Sequence, residues 1–302
     1  MNIIFMGTPD YAEAILKRLL NTETINVVAV YTQPDKPVGR KKVLTPPVVK
    51  ILALQNDIEV YQPTKLRDEE VIQKLLDIKC DYIIVAAYGQ ILPRKILDHA
   101  PCINLHASIL PAYRGASPIQ QALLNDDKKT GVTAMMMEEG LDTGDIIKIQ
   151  EIDIPKTMIV GELFDALTEV ACELTIDVLK NFKNYQHTKQ DDSLSSHCSK
   201  VTKKDGEVSF DDAKELYSKY RAYTPWPGVY LDSGLKLKDI ELIEKCTENK
   251  AGEILAIEKN YIVVGCTKGT LKINKVQPQS KKEMDISSYI NGRRLSLADN
   301  LS

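Results

Sequence analysis

Asn104 and His106 stand two residues apart at the end of the short apolar run 102–106. Residues i and i+2 of an extended strand point to one face, so the carboxamide and the imidazole project the same way, roughly 7 Å apart along the chain. An amide donor beside an imidazole suits a reaction in which a carbonyl oxygen becomes negative while an amine loses a proton. Neither group is a strong nucleophile, and no covalent enzyme intermediate is called for. Asp142, in the turn-like stretch Gly140-Leu141-Asp142-Thr143-Gly144-Asp145, can orient or charge the imidazole if the fold returns it there. Taken singly, each residue is as simply explained by a strand-end cap or a turn. Their combination gives the trio its weight.

The elements that must position them follow from periodicity. Residues 2–6 form a buried strand, 7–9 a turn, 10–20 an amphipathic helix with Asp10 as N-cap, and 25–31 a second strand. That start implies a parallel pair with a right-handed crossover. The first turn lacks Gly-x-Gly-x-x-Gly, so a Rossmann-like sheet without the dinucleotide fingerprint is expected. Helices at 45–56, 68–77, 93–99 and 118–124 alternate with strands at 58–61, 81–87, 102–106, 131–137 and 146–149. The fold class is therefore α/β, a mostly parallel sheet with helices on both faces. Ala86, Ala87 and Gly89 leave space at a strand's carboxyl end, where open sheets of this kind bind ligands. A helix over 161–182, with apolar residues at 163, 164, 167, 170, 171, 174 and 178, closes a first domain, 1–183. The polar stretch 184–204 reads as a linker. A second domain, 205–302, opens with a helix at 211–222 and a turn around Trp226, expected to pack. Short strands at 235–243, 252–257, 261–266 and 270–276 then suggest a small antiparallel barrel.

Composition narrows the class. At 302 residues with 43% hydrophobic content, the chain can bury a substantial core. No apolar run approaches the roughly 20 residues that span a bilayer, and 1–7 lack a basic leader segment, so a cytoplasmic enzyme is expected. The six cysteines, at 80, 102, 172, 198, 246 and 266, contain no Cys-x-x-Cys pair. That spacing argues against a structural zinc site, and no metal is expected. Net charge is −3, but residues 1–187 hold 20 Lys+Arg against 25 Asp+Glu and the remainder 19 against 17, so a polyanion is repelled less by the second part. Residues 32–42 carry Lys36, Arg40, Lys41 and Lys42 among prolines and glycine, and read as a basic surface loop, mobile when empty.

The run from Asn104 to Gly115, with Gly140 to Asp145, resembles the 10-formyltetrahydrofolate-dependent formyltransferases. The resemblance implies catalytic roles for Asn104, His106 and Asp142, and a folate site lined by Ser108, Ile109, Leu110 and Pro111, where Ile109 replaces the usual leucine. It further implies that Ala87, Tyr88 and Gly89 lie against the pterin, largely through backbone. The pattern from Gln33 to Arg40 resembles the loop with which some members engage the acceptor end of initiator tRNA, which points to Arg40 with Lys41 and Lys42. Pro225-Trp226-Pro227-Gly228 and the strands after it resemble those members' OB-like tRNA-holding C-terminal domain. The implied reaction takes the formyl group of 10-formyltetrahydrofolate, a co-substrate, to the α-amine of methionyl-initiator tRNA by direct attack of the amine, with Asn104 and His106 stabilising the oxyanion. No membrane and no obligate protein partner are expected. A sugar-nucleotide acceptor, hydrolysis of the folate donor, or an RNA-binding barrel fused to an inert domain stay open as alternatives. A phosphoribosylglycinamide acceptor would leave 205–302 without a role.

Overall fold

The computed structural model describes residues 1–39 and 41–301 of the chain; Arg40, expected at the tRNA loop, lies outside the described residues. Two compact units are formed. The first comprises Met1–Pro118, Lys129–Asp153 and Phe164–Cys198, and the second Ile119–Lys128, Ile154–Leu163 and Ser199 onward.

In chain order the first unit holds β1 (Asn2–Gly7), α1 (Asp10–Leu20), β2 (Asn26–Tyr31), β3 (Lys36–Val38), β4 (Val43–Thr45), α2 (Val48–Gln55), β5 (Val60–Tyr61), α3 (Glu69–Leu76), β6 (Tyr82–Ala86), α4 (Arg94–Leu97), β7 (Cys102–His106) and β8 (Arg114–Gly115). After α5 (Pro118–Leu124) come β9 (Lys129–Met136), β10 (Ile146–Asp153), α6 (Val160–Asn181) and β11 (His197–Cys198). The main sheet runs β10-β9-β7-β6-β1-β2-β5. Its parallel strands, β1 and β6 among them, are nearly continuous apolar runs because both faces are covered. β7 is parallel to β6, with Val85 opposite Asn104, and antiparallel to β9, with His106 opposite Thr133. This register sets Asn104 and His106 on one face at the sheet's carboxyl end.

Four local expectations change. Asp10 is the first residue of α1, and extended Pro9 precedes it without a side-chain cap. The 32–42 loop forms, with the three residues after it, a small antiparallel hairpin, β3 against β4, with Lys36 opposite Thr45 and Val38 opposite Val43. Pro37 hid the first strand, since proline is tolerated only where no ladder donor is needed. The hairpin base is fixed by the Lys50–Asp35 ion pair at 2.9 Å and by Gln62 Nε2, which donates to Gln33 O and Asp35 Oδ1, each at 2.8 Å. Those contacts hold the Asp35 carboxyl below its ordinary value, the Gln62 hydrogen bond foremost.

The stretch 184–204, expected as a linker, is largely part of the first unit. Thr188 bridges Ile146, Gln190 is buried, and β11 pairs in parallel with β8. Buried Gln190 and Cys198 anchor a segment that is otherwise mostly half-buried or exposed.

The second unit adds α7 (Ala213–Tyr223), β12 (Val229–Tyr230), β13 (Lys236–Glu248), β14 (Ile254–Ile257), β15 (Ile262–Gly265), β16 (Lys268–Gln277), β17 (Met284–Asp285) and α8 (Ile286–Arg293). Asp212 caps α7, accepting from the amides of Lys214 and Glu215 at 2.8 and 3.1 Å. The OB-like antiparallel sheet runs β12-β13-β16-β15-β14, with β17 beside β16. Register shifts along β13 coil it around a core that includes Ile240, Ile254, Ile273 and Ile286. Arg221, 2% exposed, donates to Met158 O, Pro155 O and Asp126 Oδ1, which ties the 119–128 and 154–163 excursions to this unit. Trp226 stands 61% exposed, outside that core, against the packing role expected of it. Among the described residues no helix is long and apolar enough to cross a membrane, and no His/Cys/Asp/Glu group is arranged to hold a metal.

Candidate active site

The three residues of the expected trio meet within the first unit. Asn104 Nδ2 donates to Asp142 Oδ1 at 3.4 Å, a long bond, and His106 Nδ1 lies 3.7 Å from Asp142 Oδ2. Asn104 and His106 are 9% and 7% exposed, so their polar heads sit at the lip of the protein interior, where charge is poorly screened. Asp142 is a loop residue with φ of 55°, held from the other side by the Gly115 amide, which donates to Oδ2 at 2.9 Å. His106 Nε2 faces the Tyr113 carbonyl at 2.9 Å. A carbonyl only accepts, so Nε2 carries the proton, and Nδ1 faces the Asp142 carboxylate from beyond hydrogen-bond range.

The glycines flanking Asp142 have steric reasons. A Cβ on Gly144 would stand 1.9 Å from Met136 O, and one on Gly140 would stand 2.0 Å from Thr143 Oγ1. At Gly144 the loop passes too close to β9 for a side chain, while at Gly140 it turns against its own Thr143. Asp145 is exposed and its carbonyl accepts from the Met136 amide.

The residues expected at the folate divide into two kinds. Ser108 is wholly buried, its Oγ donating to Ala112 O at 2.6 Å and its carbonyl accepting from Thr133 Oγ1 at 2.7 Å. Leu110 is buried as well, and its amide donates to Thr133 Oγ1 at 3.1 Å. Both shape the loop, while Ile109 and Pro111 are half-buried on it. At the end of β6, Ala87 and Gly89 are exposed with φ of 46° and 80°. A non-glycine held in that region is strained, as residues at ligand sites often are. The Tyr88 ring is buried in the core, and its carbonyl accepts from Gln33 Nε2 at 3.1 Å. The exposed groups here are thus the backbone at 87 and 89, while the Tyr88 side chain is buried. Lys41 and Lys42 are exposed on the hairpin, on a different element from the trio.

Sequence reasoning missed the residues that hold the trio. Arg114, 4% exposed, donates through Nε and Nη2 to Gln190 Oε1 at 3.1 and 2.8 Å, and Gln190 Nε2 donates to the carbonyls of Asp142 and Gly144 at 2.9 and 2.8 Å. Arg114 sits inside a motif that pointed to the site. Gln190 lies in a polar run with no periodicity and gave no signal.

A carboxamide, an imidazole and a carboxylate thus meet at the carboxyl edge of a mostly parallel α/β sheet, in a chain that continues into an antiparallel β unit. Residues 1–179 match the formyl transferase family and 200–294 the formyl transferase C-terminal domain. Over the full length of both chains, the sequence is 65% identical to methionyl-tRNA formyltransferase of Sulfurimonas denitrificans. It is 53% identical to that of a Nitratiruptor species over 99% of each chain. Among solved structures, an N-formyltransferase from Helicobacter canadensis, in complex with folinic acid and dTDP-3-aminofucose, superposes with a TM-score of 0.69 at 17% identity, covering 91% of this chain and 99% of its own. That likeness supports the fold. The chain belongs to the formyl transferase family, and within it to the methionyl-tRNA formyltransferases.

Proposed function

We propose that this chain transfers the formyl group of 10-formyltetrahydrofolate to the α-amino group of methionine carried by initiator tRNA, in the cytoplasm, for the start of translation. The meeting of Asn104, His106 and Asp142 in a chain of this family carries the reading. The Sulfurimonas and Nitratiruptor relatives supply the acceptor. In this reading the first unit, which takes in 184–198, performs the chemistry, and the second unit, chiefly the residues from Ser199 onward, helps hold the tRNA, with Arg40, Lys41 and Lys42 at its acceptor end.

The folate fits as a substrate lying on the exposed backbone at 87–89, with Ile109 and Pro111 against it and Ser108 and Leu110 holding their loop in shape. The neutral amine attacks the formyl carbon. A C–N bond forms, the carbonyl electron pair moves onto oxygen, and Asn104 Nδ2 donates to that oxyanion, a contribution of about 3–4 kcal/mol in a preorganised site. His106 Nδ1 takes the amine's proton, and Asp142 stabilises the imidazolium so formed. The tetrahedral centre then collapses, the bond to N10 breaks, and the proton passes to N10. Positioned proton transfer of this kind adds about 10²- to 10⁴-fold. Sequence reasoning assigned His106 to the oxyanion; the Tyr113 carbonyl on Nε2 favours the proton-carrying role instead.

The test supplies the purified full chain with the folate donor and compares charged initiator tRNA, elongator methionyl-tRNA and a nucleotide-linked amino sugar. Formylation confined to the initiator tRNA is expected. Preference for the sugar amine, or formate release without any amine, would replace the reading with one of its rivals.

A further inference from the structure

Asp142 belongs to neither strand nor helix. It lies in the loop between β9 and β10, next to exposed Leu141, with its backbone in the left-handed region. Its position is therefore set by what grips the loop. Gln190 supplies two of those grips, through Asp142 O at 2.9 Å and Gly144 O at 2.8 Å. Its Oε1 accepts two N–H bonds from Arg114, at 3.1 and 2.8 Å, so the amide's two donors and its acceptor oxygen are all engaged. A guanidinium only donates and a carbonyl only accepts, so the buried amide has one satisfied orientation. Arg114 is held in turn by Asp192 Oδ1 at 2.8 Å and by β8, whose partner strand β11 follows Gln190 in the chain.

Tyr113, Arg114 and Gly115 connect this brace to the chemistry. The Tyr113 carbonyl holds His106 Nε2, the Arg114 side chain holds Gln190, and the Gly115 amide holds Asp142 Oδ2. Three consecutive residues thus fix the imidazole, the carboxylate and the amide that steadies the carboxylate's loop.

We propose that Gln190 is a positioning residue for Asp142, locked by Arg114, and that it sets the His106–Asp142 separation on which proton transfer depends; this rests on the formyl-transfer reading above. Gln190 touches no reacting atom. Its influence passes through the Asp142 backbone, where a displacement of about 1 Å can cost on the order of 10²-fold in rate.

The test uses the full chain with Gln190→Met, which keeps the length and removes every hydrogen bond. With charged initiator tRNA and the folate donor, kcat should fall by roughly 10- to 10²-fold, while KM for each substrate stays within about 2-fold. The same substitution made on top of Asp142→Ala should lower kcat by less than about 2-fold further, because residues acting as one unit are not additive. An unchanged kcat in Gln190→Met, or an equal fold loss in the Asp142→Ala background, overturns the proposal. If Gln190→Met does not fold, Gln190→Asn, whose shorter amide cannot span the same partners, is read by the same two criteria. An unsubstituted chain that formylates nothing would sink the formyl-transfer reading instead.

Discussion

Two side-chain atoms at the site have capacity to spare. Asn104 Nδ2 makes only a 3.4 Å contact with Asp142, and His106 Nδ1 faces the carboxylate at 3.7 Å without a hydrogen bond. Both face the Asp142 carboxylate without a tight bond to it, so both are open to a reacting group. Asn104→Ala should therefore lower kcat by about 10²- to 10³-fold. Folate affinity should hardly change, since the lost bond forms in the transition state; fluorescence titration of the folate against single-turnover rates makes the check, and equal losses in both would make Asn104 a binding residue. Gly144→Ala belongs to the same scale. Its Cβ would stand 1.9 Å from a backbone carbonyl, so the Asp142 loop must shift. Its kcat should drop toward that of Asp142→Ala, and the clash with the β9 backbone should lower its melting temperature as well.

Short β pieces carry more consequence here than their length suggests. The two-residue pair β8–β11 aligns Arg114 with His197 and Gly115 with Cys198, and Gly115 has φ of 118° with Cys198 O 2.3 Å from where a Cβ would be. Gly115→Ala should cost about 1–3 kcal/mol in strain alone and open this pair, measured as a lower denaturant midpoint together with lost activity. The hairpin β3–β4 is the second such element. Its turn exposes Lys41 and Lys42, and its base is fixed by Asp35, Lys50 and Gln62. Lys41→Ala with Lys42→Ala should raise KM for the tRNA, reduce the salt dependence of binding by about one counterion per lysine, and leave KM for the folate alone. A salt slope that does not move would remove these lysines from the phosphate contacts.

At the scale of the whole molecule the charge balance is nearly even, so no general attraction for a polyanion is built in, and local basic elements must do that work. The second unit also shows how a buried cation organises distant sequence. Arg221 joins three segments, and Asp126 answers it at 3.2 Å while also pairing with Lys214 at 3.0 Å. Burial opposes ionisation of Asp126, but the Lys214 hydrogen bond and the Lys214 and Arg221 charges outweigh it and hold its pKa below the ordinary 3.8. A carboxylate depressed in the folded state stabilises above its unfolded pKa and loses that contribution as pH falls through the lower folded value. Asp126→Asn should thus melt lower than the unsubstituted protein near neutrality, and the gap should close as pH falls below about 4. A gap independent of pH would mean that the ion pair is not its source.

The amino-acid sequence by itself determined the strands and helices with strong periodicity, the α/β class and the β-rich tail, and it singled out Asn104, His106 and Asp142 as a candidate trio. Those features are written in residue type and spacing: the apolar runs of β1 and β6, the 3.6-residue stripe of α6, and two polar residues at i and i+2 on β7. Only the tertiary structure decided which groups hold the trio in place. Gln190 is 48 residues from Asp142, and Arg114 is 76 from Gln190. Partners so far apart leave no periodic trace, because a hydrogen bond needs one donor and one acceptor at one point and no pattern around them. The hairpin at Lys36–Thr45 and the exposure of Trp226 escaped for a related reason: a proline or an aromatic ring has the same local propensities on an exposed edge as beside a core, and only packing tells the two apart.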